Sequence, residues 1–156
     1  MNVKSRRAII VGGGRVGRRT AVQLADNGYM VTIIERDADK EAMIPEHPVG
    51  RVIVGDGADV DVFERANPTT ADIVAGLTND TDTNLAVSEL ASELVPGIRT
   101  LVRISRDGEQ SYAHLEHVDN VVYPAAAGAT VATGQIVGET THVMPPEFSY
   151  TGRRND

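Results

Sequence analysis

The chain has 156 residues, the size of a single domain with a real core. Apolar residues make up 41% and charged residues 24%, a globular balance, and no apolar run approaches the roughly 20 residues of a membrane span. The absence of cysteine excludes disulfides, thiolate metal sites and cysteine nucleophiles, and a net charge of −7 disfavours nucleic-acid partners because an acidic surface repels phosphates.

Met1 to Arg7 is basic but has no adequate apolar region behind it, so no signal peptide is expected and a cytoplasmic location is the default. Lysine occurs only as Lys4 and Lys40, against 13 arginines. That bias fits a high-salt cytoplasm and GC-rich codon usage about equally.

Taken in order, residues 8–11 (AIIV) predict a first strand. Residues 15–27 predict a helix with Val16, Thr20, Leu24 and their neighbours facing inward. A second strand is expected at 30–35 (MVTIIE) and a short helix at 38–43, before Pro45. A third strand (51–54) and a short helix (59–66) follow, the latter stopped by Asn67-Pro68. A fourth strand (72–77) leads into a long helix (81–94) ended by Pro96-Gly97. A fifth strand (99–104), a helix near 107–116 and a sixth strand (120–123) complete the alternation. After Pro124 the run AAAGATVATGQIVGE reads as one helix of small residues, able to approach another surface closely. Residues 139–156, with Pro145-Pro146 and a polar end, read as an irregular tail. Strand–helix alternation at this spacing predicts an α/β fold, a Rossmann-like, doubly wound, parallel six-stranded sheet with helices on both faces.

Gly12-Gly13-Gly14-Arg15-Val16-Gly17 matches G-x-G-x-x-G. The pattern alone is weak, but here it follows a strand, opens a helix, and has an acid, Glu35, at the end of the next strand. Gly12 suits the tight turn, Gly14 lets backbone approach a pyrophosphate, and Gly17 lets the helix pack closely. The helix N-terminus offers free N–H groups to phosphates. Glu35 can accept ribose hydroxyls and would repel a 2′-phosphate, favouring NAD-like or ADP-like ligands over NADP. Arg36 can stack on adenine or reach a phosphate. The bland alternative is a glycine-rich turn in an empty fold.

Two more segments fall at the same sheet edge. In GDGAD (55–59), Asp56 and Gly57 are expected at the ligand and Asp59 as a helix cap. In LTNDTDTN (77–84), Thr78 and Asn79 are expected to line the crevice, with one of Asp80 to Asp82 capping the helix. Asp80, Asp82 and Asn84 begin like a calcium loop, but Leu85 and Ala91 stand where that loop needs Gly and Glu. Arg103, a charge in an apolar strand, suits an ion pair and a crevice position equally. His114 and His117 have metal-compatible spacing without further ligands nearby, so a solvated face is the better reading. No tyrosine has a lysine four residues on, there is no G-x-S-x-G elbow, and no second domain holds a hydride acceptor. A nucleotide site without a catalytic apparatus suggests a sensor.

Together, GGGRVG (12–17), GYMVTIIERD (28–37), VIVGDGAD (52–59), ADIVAGLTNDTDTN (71–84), LVRISRD (101–107) and VDNVVYP (118–124) resemble, in order, the TrkA-type or RCK (KTN) nucleotide-binding domain of potassium transport regulators. The resemblance covers about residues 6–138, which defines a domain at 1–138. It implies a cytoplasmic, non-enzymatic regulatory subunit that binds NAD(H) or ATP/ADP. It would control a potassium channel or transporter at the inner face of the membrane without inserting into it, and would pair as a homodimer or larger ring. It carries a terminal-phosphate contact onto Arg15, the strand-two acid onto Glu35, and a strand-five arginine onto Arg103. The helix at 125–138 resembles a crossover helix that packs on a neighbouring subunit. Two departures stand out: Ala66-Asn67-Pro68 replaces the family's A-G-I, and the usual C-terminal ligand-binding domain does not follow. The rival readings are an NAD-dependent oxidoreductase and a structural dimer module that has lost its ligand.

Overall fold

In the computed structural model, residues 5–45, 47–105 and 116–138 are described. Six strands form one parallel sheet: β1 (Arg7–Val11), β2 (Met30–Glu35), β3 (Arg51–Val54), β4 (Ile73–Gly76), β5 (Arg99–Arg103) and β6 (Asn120–Val122), in the order β3-β2-β1-β4-β5-β6. The helices are α1 (Arg15–Asp26), α2 (Ala38–Glu41), α3 (Val60–Glu64), α4 (Thr81–Leu94) and α5 (Pro124–Val137). This is the doubly wound order expected from the alternation, with its reversal between β1 and β4.

The strands read as continuous apolar runs because both sheet faces are covered. Side chains alternate between them. Ile9, Val11, Ile34 and Val74 pack on one face with Phe63, Val87 and Ala91 of α3 and α4. Ile10, Ile33 and Ala75 pack on the other with Ala21 of α1, Ile44 and Val49. On α1 the fully buried positions are Gly17 and Ala21, while Val16 and Leu24 are partly buried beside them.

Most elements lie within a residue or two of their expected bounds. The helices α2 and α3 are shorter than expected. The helix α3 stops at Glu64, and Asn67 then takes a left-handed conformation (φ 55°) that feeds a 3₁₀ turn at Pro68–Thr70. The expected helix near 107–116 falls almost wholly, and the tail at 139–156 wholly, outside the described residues, as does His114. His117 serves structurally through its backbone: its carbonyl accepts from the Thr100 hydroxyl at 2.6 Å and from Ser88.

Two glycines fix the turn after β1. Gly12 has φ +110°, and a Cβ there would stand 2.8 Å from the Thr78 nitrogen. A Cβ on Gly17 would lie 1.7 Å from the Gly12 carbonyl oxygen, so α1 rests directly on the turn. Overpacking of this kind costs about 1–3 kcal/mol or more, because backbone must move. We therefore expect Gly17→Ala to lose at least about 3 kcal/mol in urea denaturation, whereas Gly14→Ala, with nothing within 4 Å of its built Cβ, stays within about 1 kcal/mol of the parent.

Candidate functional site

At the carboxyl ends of the strands, on the β1/β4 reversal, lies a cleft of about 440 Å³. This is where open α/β sheets hold ligands. It is lined by Gly12, Gly14, Arg15, Val16, Glu35, Arg36, Asp56, Gly57, Thr78, Asn79 and Arg103 from the residues singled out in the sequence. The two others do not line it. Gly17 is buried under the turn, and Gly13 is buried with its N–H donating to Glu35 Oε1 at 2.8 Å.

The end of β2 differs from the simple expectation. Glu35 is 7% exposed. One carboxylate oxygen accepts from Gly13 N–H and the other from Asp37 N–H at 2.7 Å. The side chain thus ties the glycine turn to the start of α2. Each carboxylate oxygen has a further lone pair, so room for a ribose hydroxyl remains.

Three helices around the cleft begin with an aspartate cap. Asp37 accepts from Asp39 N–H, Asp59 from Asp61 N–H and Asp80 from Asp82 N–H. Asp59 therefore caps, as expected, and Asp80 is the capping member of Asp80 to Asp82. The calcium-like spacing is spent on this cap and on Asn84, which turns into the core. Asp56 closes its own turn by accepting from Ala58 N–H at 2.9 Å.

Helix α1 differs from these three. Its N-cap is Gly14, with no side-chain cap bond and no acid in the first turn. Gly14 has φ −74°, which any residue adopts, and its missing Cβ faces open space. Neither sterics nor backbone geometry demands glycine there. The uncapped helix end carries unsatisfied N–H groups and a partial positive charge into the cleft.

The cleft also gathers cations. Arg15, Arg36, Lys40 and Arg103 line it, and among the described residues no carboxylate pairs with any of them. Its four acids, Glu35, Asp37, Asp56 and Asp80, all accept hydrogen bonds from local backbone N–H groups. Among the described residues no three His, Asp or Glu side chains come together to hold a metal ion.

Asp37, Lys40, Asp80 and Thr83 also line the cleft, beyond the residues expected from the sequence. Asn84, outside that expected set, frames the site. Asn84 is fully buried, donates to the carbonyls of Thr78 and Arg103 at 2.9 Å each, and accepts from Thr78 N–H and its hydroxyl. It clamps the loop after β4 to the end of β5. The sequence signals for it are its place at the end of the segment 71–84 that carries the family resemblance and a polar residue on the inward side of a helix. Replacing Asn84 by leucine would strand several of these groups, each costing about 1–3 kcal/mol. A loss of at least about 2 kcal/mol is expected by thermal denaturation, with a larger loss than for the exposed control Asp82→Ala.

The TrkA-N domain model matches residues 8–124, and the chain belongs to that family. Over 102 residues it is 40% identical to the Trk system potassium uptake protein TrkA homolog of Pyrococcus abyssi, covering 65% of this chain and 45% of that one. The chain spans about half the length of the curated relatives it matches. Among solved structures, the Kef CTD of Shewanella denitrificans in AMP-bound form superposes with a TM-score of 0.68 at 20% identity, covering 86% of this chain and 84% of that one. GsuK bound to ADP superposes with a TM-score of 0.65 at 22% identity, covering 84% and 34%. At these identities the likeness establishes the fold.

Proposed function

We propose that the chain is a nucleotide-sensing regulatory subunit of a potassium channel or transporter, with NAD(H) or ATP/ADP in the cleft at the end of α1. The observation that carries the binding reading is Gly14. Aspartate caps α2, α3 and α4, and it would stabilise the free α1 in the same way, yet the position is left open. An anion of the ligand takes the place of that cap. The relatives' naming as Trk potassium uptake proteins supports the transport role. The AMP and ADP named in the structural neighbours support the ligand class.

In this reading the subunit is cytoplasmic, non-catalytic and peripheral to the membrane through its partner. Among the described residues, no helix is long and apolar enough to cross a membrane. Assembly as a homodimer or larger ring falls to α5. That helix has 14 residues, none charged and none buried, and Ile136 at its end is 84% exposed. Apolar surface of this kind calls for a covering partner, and a second copy supplies one through the crossover packing that the resemblance implies.

The switch follows from differential affinity. A ligand biases one assembly geometry only as far as it binds that geometry more tightly. A ~100-fold preference, about 2.7 kcal/mol, is enough.

Two outcomes test this. Gly14→Asp places a carboxylate where the ligand anion would sit. Like-charge contact costs several kcal/mol, so nucleotide affinity by calorimetry falls at least about 100-fold. The melting temperature of the free protein is held or rises, since aspartate is a good cap. Unchanged binding and unchanged transport control in this variant would sink the reading. Separately, Ile136→Glu shifts the sedimentation coefficient from dimer or ring to monomer; a parent protein that is already monomeric would refute the role given to α5.

A further inference from the structure

The amino ends of β1, β2 and β3, at the opposite end of the sheet from the nucleotide cleft, hold a cavity of about 190 Å³. This is below the roughly 300–1,000 Å³ of a site for a drug-sized ligand, which sets the scale at a small solute. The strand register builds it. Ile9, Thr32 and Arg51 form one row, and Arg7 pairs with Met30 in the row before it, so all five share the sheet face that α3 covers. The next row along that face, Val11, Ile34 and Ile53, is apolar and buried. The change from Ile34 to Thr32 and from Ile53 to Arg51 falls where the face opens into the cavity.

The polar groups around it are donors. Arg7 and Arg51 are exposed, and among the described residues that line the cavity none is acidic, in a chain of net charge −7. Asp72 nearby accepts from the Arg7 backbone N–H at 2.7 Å and is not part of the lining. Arg51 is held in place: its Nη1 donates to the Arg65 carbonyl at 2.7 Å, and its remaining N–H groups have no partner among the described residues. The Arg7 guanidinium, the Thr32 hydroxyl and the Asn67 side-chain amide likewise make no bond there. Asn67 stands at φ 55°, a conformation that favours glycine, and asparagine in its place brings an amide to the cavity. The rest of the lining is largely apolar, with Ile9, Val31 and Ala66 buried and Ala71 half-buried.

We infer that this cavity is a second ligand site, one that takes a small organic acid. Arg7 and Arg51 hold its carboxylate, and its carbon chain lies against Ile9, Val31, Ala66 and Ala71. A guanidinium fork matches a carboxylate in geometry as well as in charge. The apolar lining chooses among anions. Phosphate and sulfate present oxygens on every side, and those turned toward Ile9 and Ala66 would lose water without gaining a partner. A carboxylate on a short alkyl chain has one polar end and one apolar end, as the cavity has. The site shares no lining residue with the nucleotide cleft and stands whether or not that cleft holds a nucleotide.

The test follows amide NMR shifts of the parent chain, Arg7→Gln, Arg51→Lys and Gly14→Asp during titration with butyrate, acetate and inorganic phosphate, with sodium chloride at matched ionic strength as the control. In the parent, butyrate gives saturable shifts at Thr32, Gly50 and Asn67 that chloride does not. It binds at least about threefold more tightly than acetate, because its two added methylenes are buried. Arg7→Gln weakens butyrate about tenfold, the scale of one charged hydrogen bond. The Arg7 guanidinium makes no bond among the described residues, so this variant reads the site and not the fold. Arg51→Lys keeps the charge but loses the fork, and weakens butyrate by a smaller factor. Gly14→Asp, at the other end of the sheet, binds butyrate as the parent does. No saturable shift at the cavity amides, phosphate binding as tightly as butyrate, or unchanged affinity in both arginine variants would each overturn the inference. So would loss of butyrate binding in Gly14→Asp, which would put the acid in the nucleotide cleft. None of these results decides the nucleotide reading, which rests on its own titrations.

Discussion

The amino end of α1 lies where it does because only a hydrogen atom separates Gly17 from the carbonyl of Gly12. That approach seats the helix on the turn after β1, and the turn in turn lies against the backbone of Leu77 and Thr78 at the end of β4. The contact falls on the β1/β4 reversal, where neighbouring helices leave on opposite faces of the sheet. The helix end, the turn and the loop after β4 are thereby brought to one place. Every other feature of the cleft is arranged around this junction.

Two buried polar side chains hold that arrangement from either side. Glu35 fastens the glycine turn to the start of α2, and Asn84 fastens the loop after β4 to the end of β5. Both bond backbone groups through each of their polar atoms, so neither leaves a buried polar atom without a partner. Their partners, Gly13, Asp37, Thr78 and Arg103, are immediate neighbours of the cleft or part of its lining. A ligand that alters the balance at Glu35 or at the Thr78–Arg103 clamp therefore acts on bonds that connect four strand ends and two helices. This is a physical link between the site and the rest of the domain.

The electrostatics of the cleft differ from those of the chain. A molecule with net charge −7 places four cations around one cavity, none of them paired with a carboxylate among the described residues, and commits the cavity's acids to caps and turns. The α1 terminus adds its own positive end. With equal numbers of cations and acids the lining is locally neutral in an acidic chain, and the helix end and the cations point the attraction for an anion to this place. The exposed, uncharged α5 contributes no residue to that lining and presents a different kind of surface.

Much of this was legible in the residues. Continuous apolar runs with helix-length spacing gave the six parallel strands, and their order followed from the handedness of crossovers. The spacing of Gly12, Gly14 and Gly17 with Glu35 pointed to the candidate site, while the residues left Arg103 evenly between an ion pair and the crevice it is found to line. Which residue caps a helix was legible for Asp59 and only to one of Asp80 to Asp82 for α4, since capping is local chemistry. What the residues alone did not reveal depends on contacts between distant segments. Glu35 was read as a ribose acceptor, and only the packed turn shows its oxygens already meeting Gly13 and Asp37. Asn84 passed as part of a motif because its partners lie six and nineteen residues away. Lys40 entered the cleft because α2 folds back over the end of β2, and the bare end of α1 gained its meaning beside three capped neighbours. The sequence determined the elements, their order and the strand ends that carry the site; the tertiary structure decided which polar groups there are already satisfied and which remain open, because satisfaction is settled by neighbours in space.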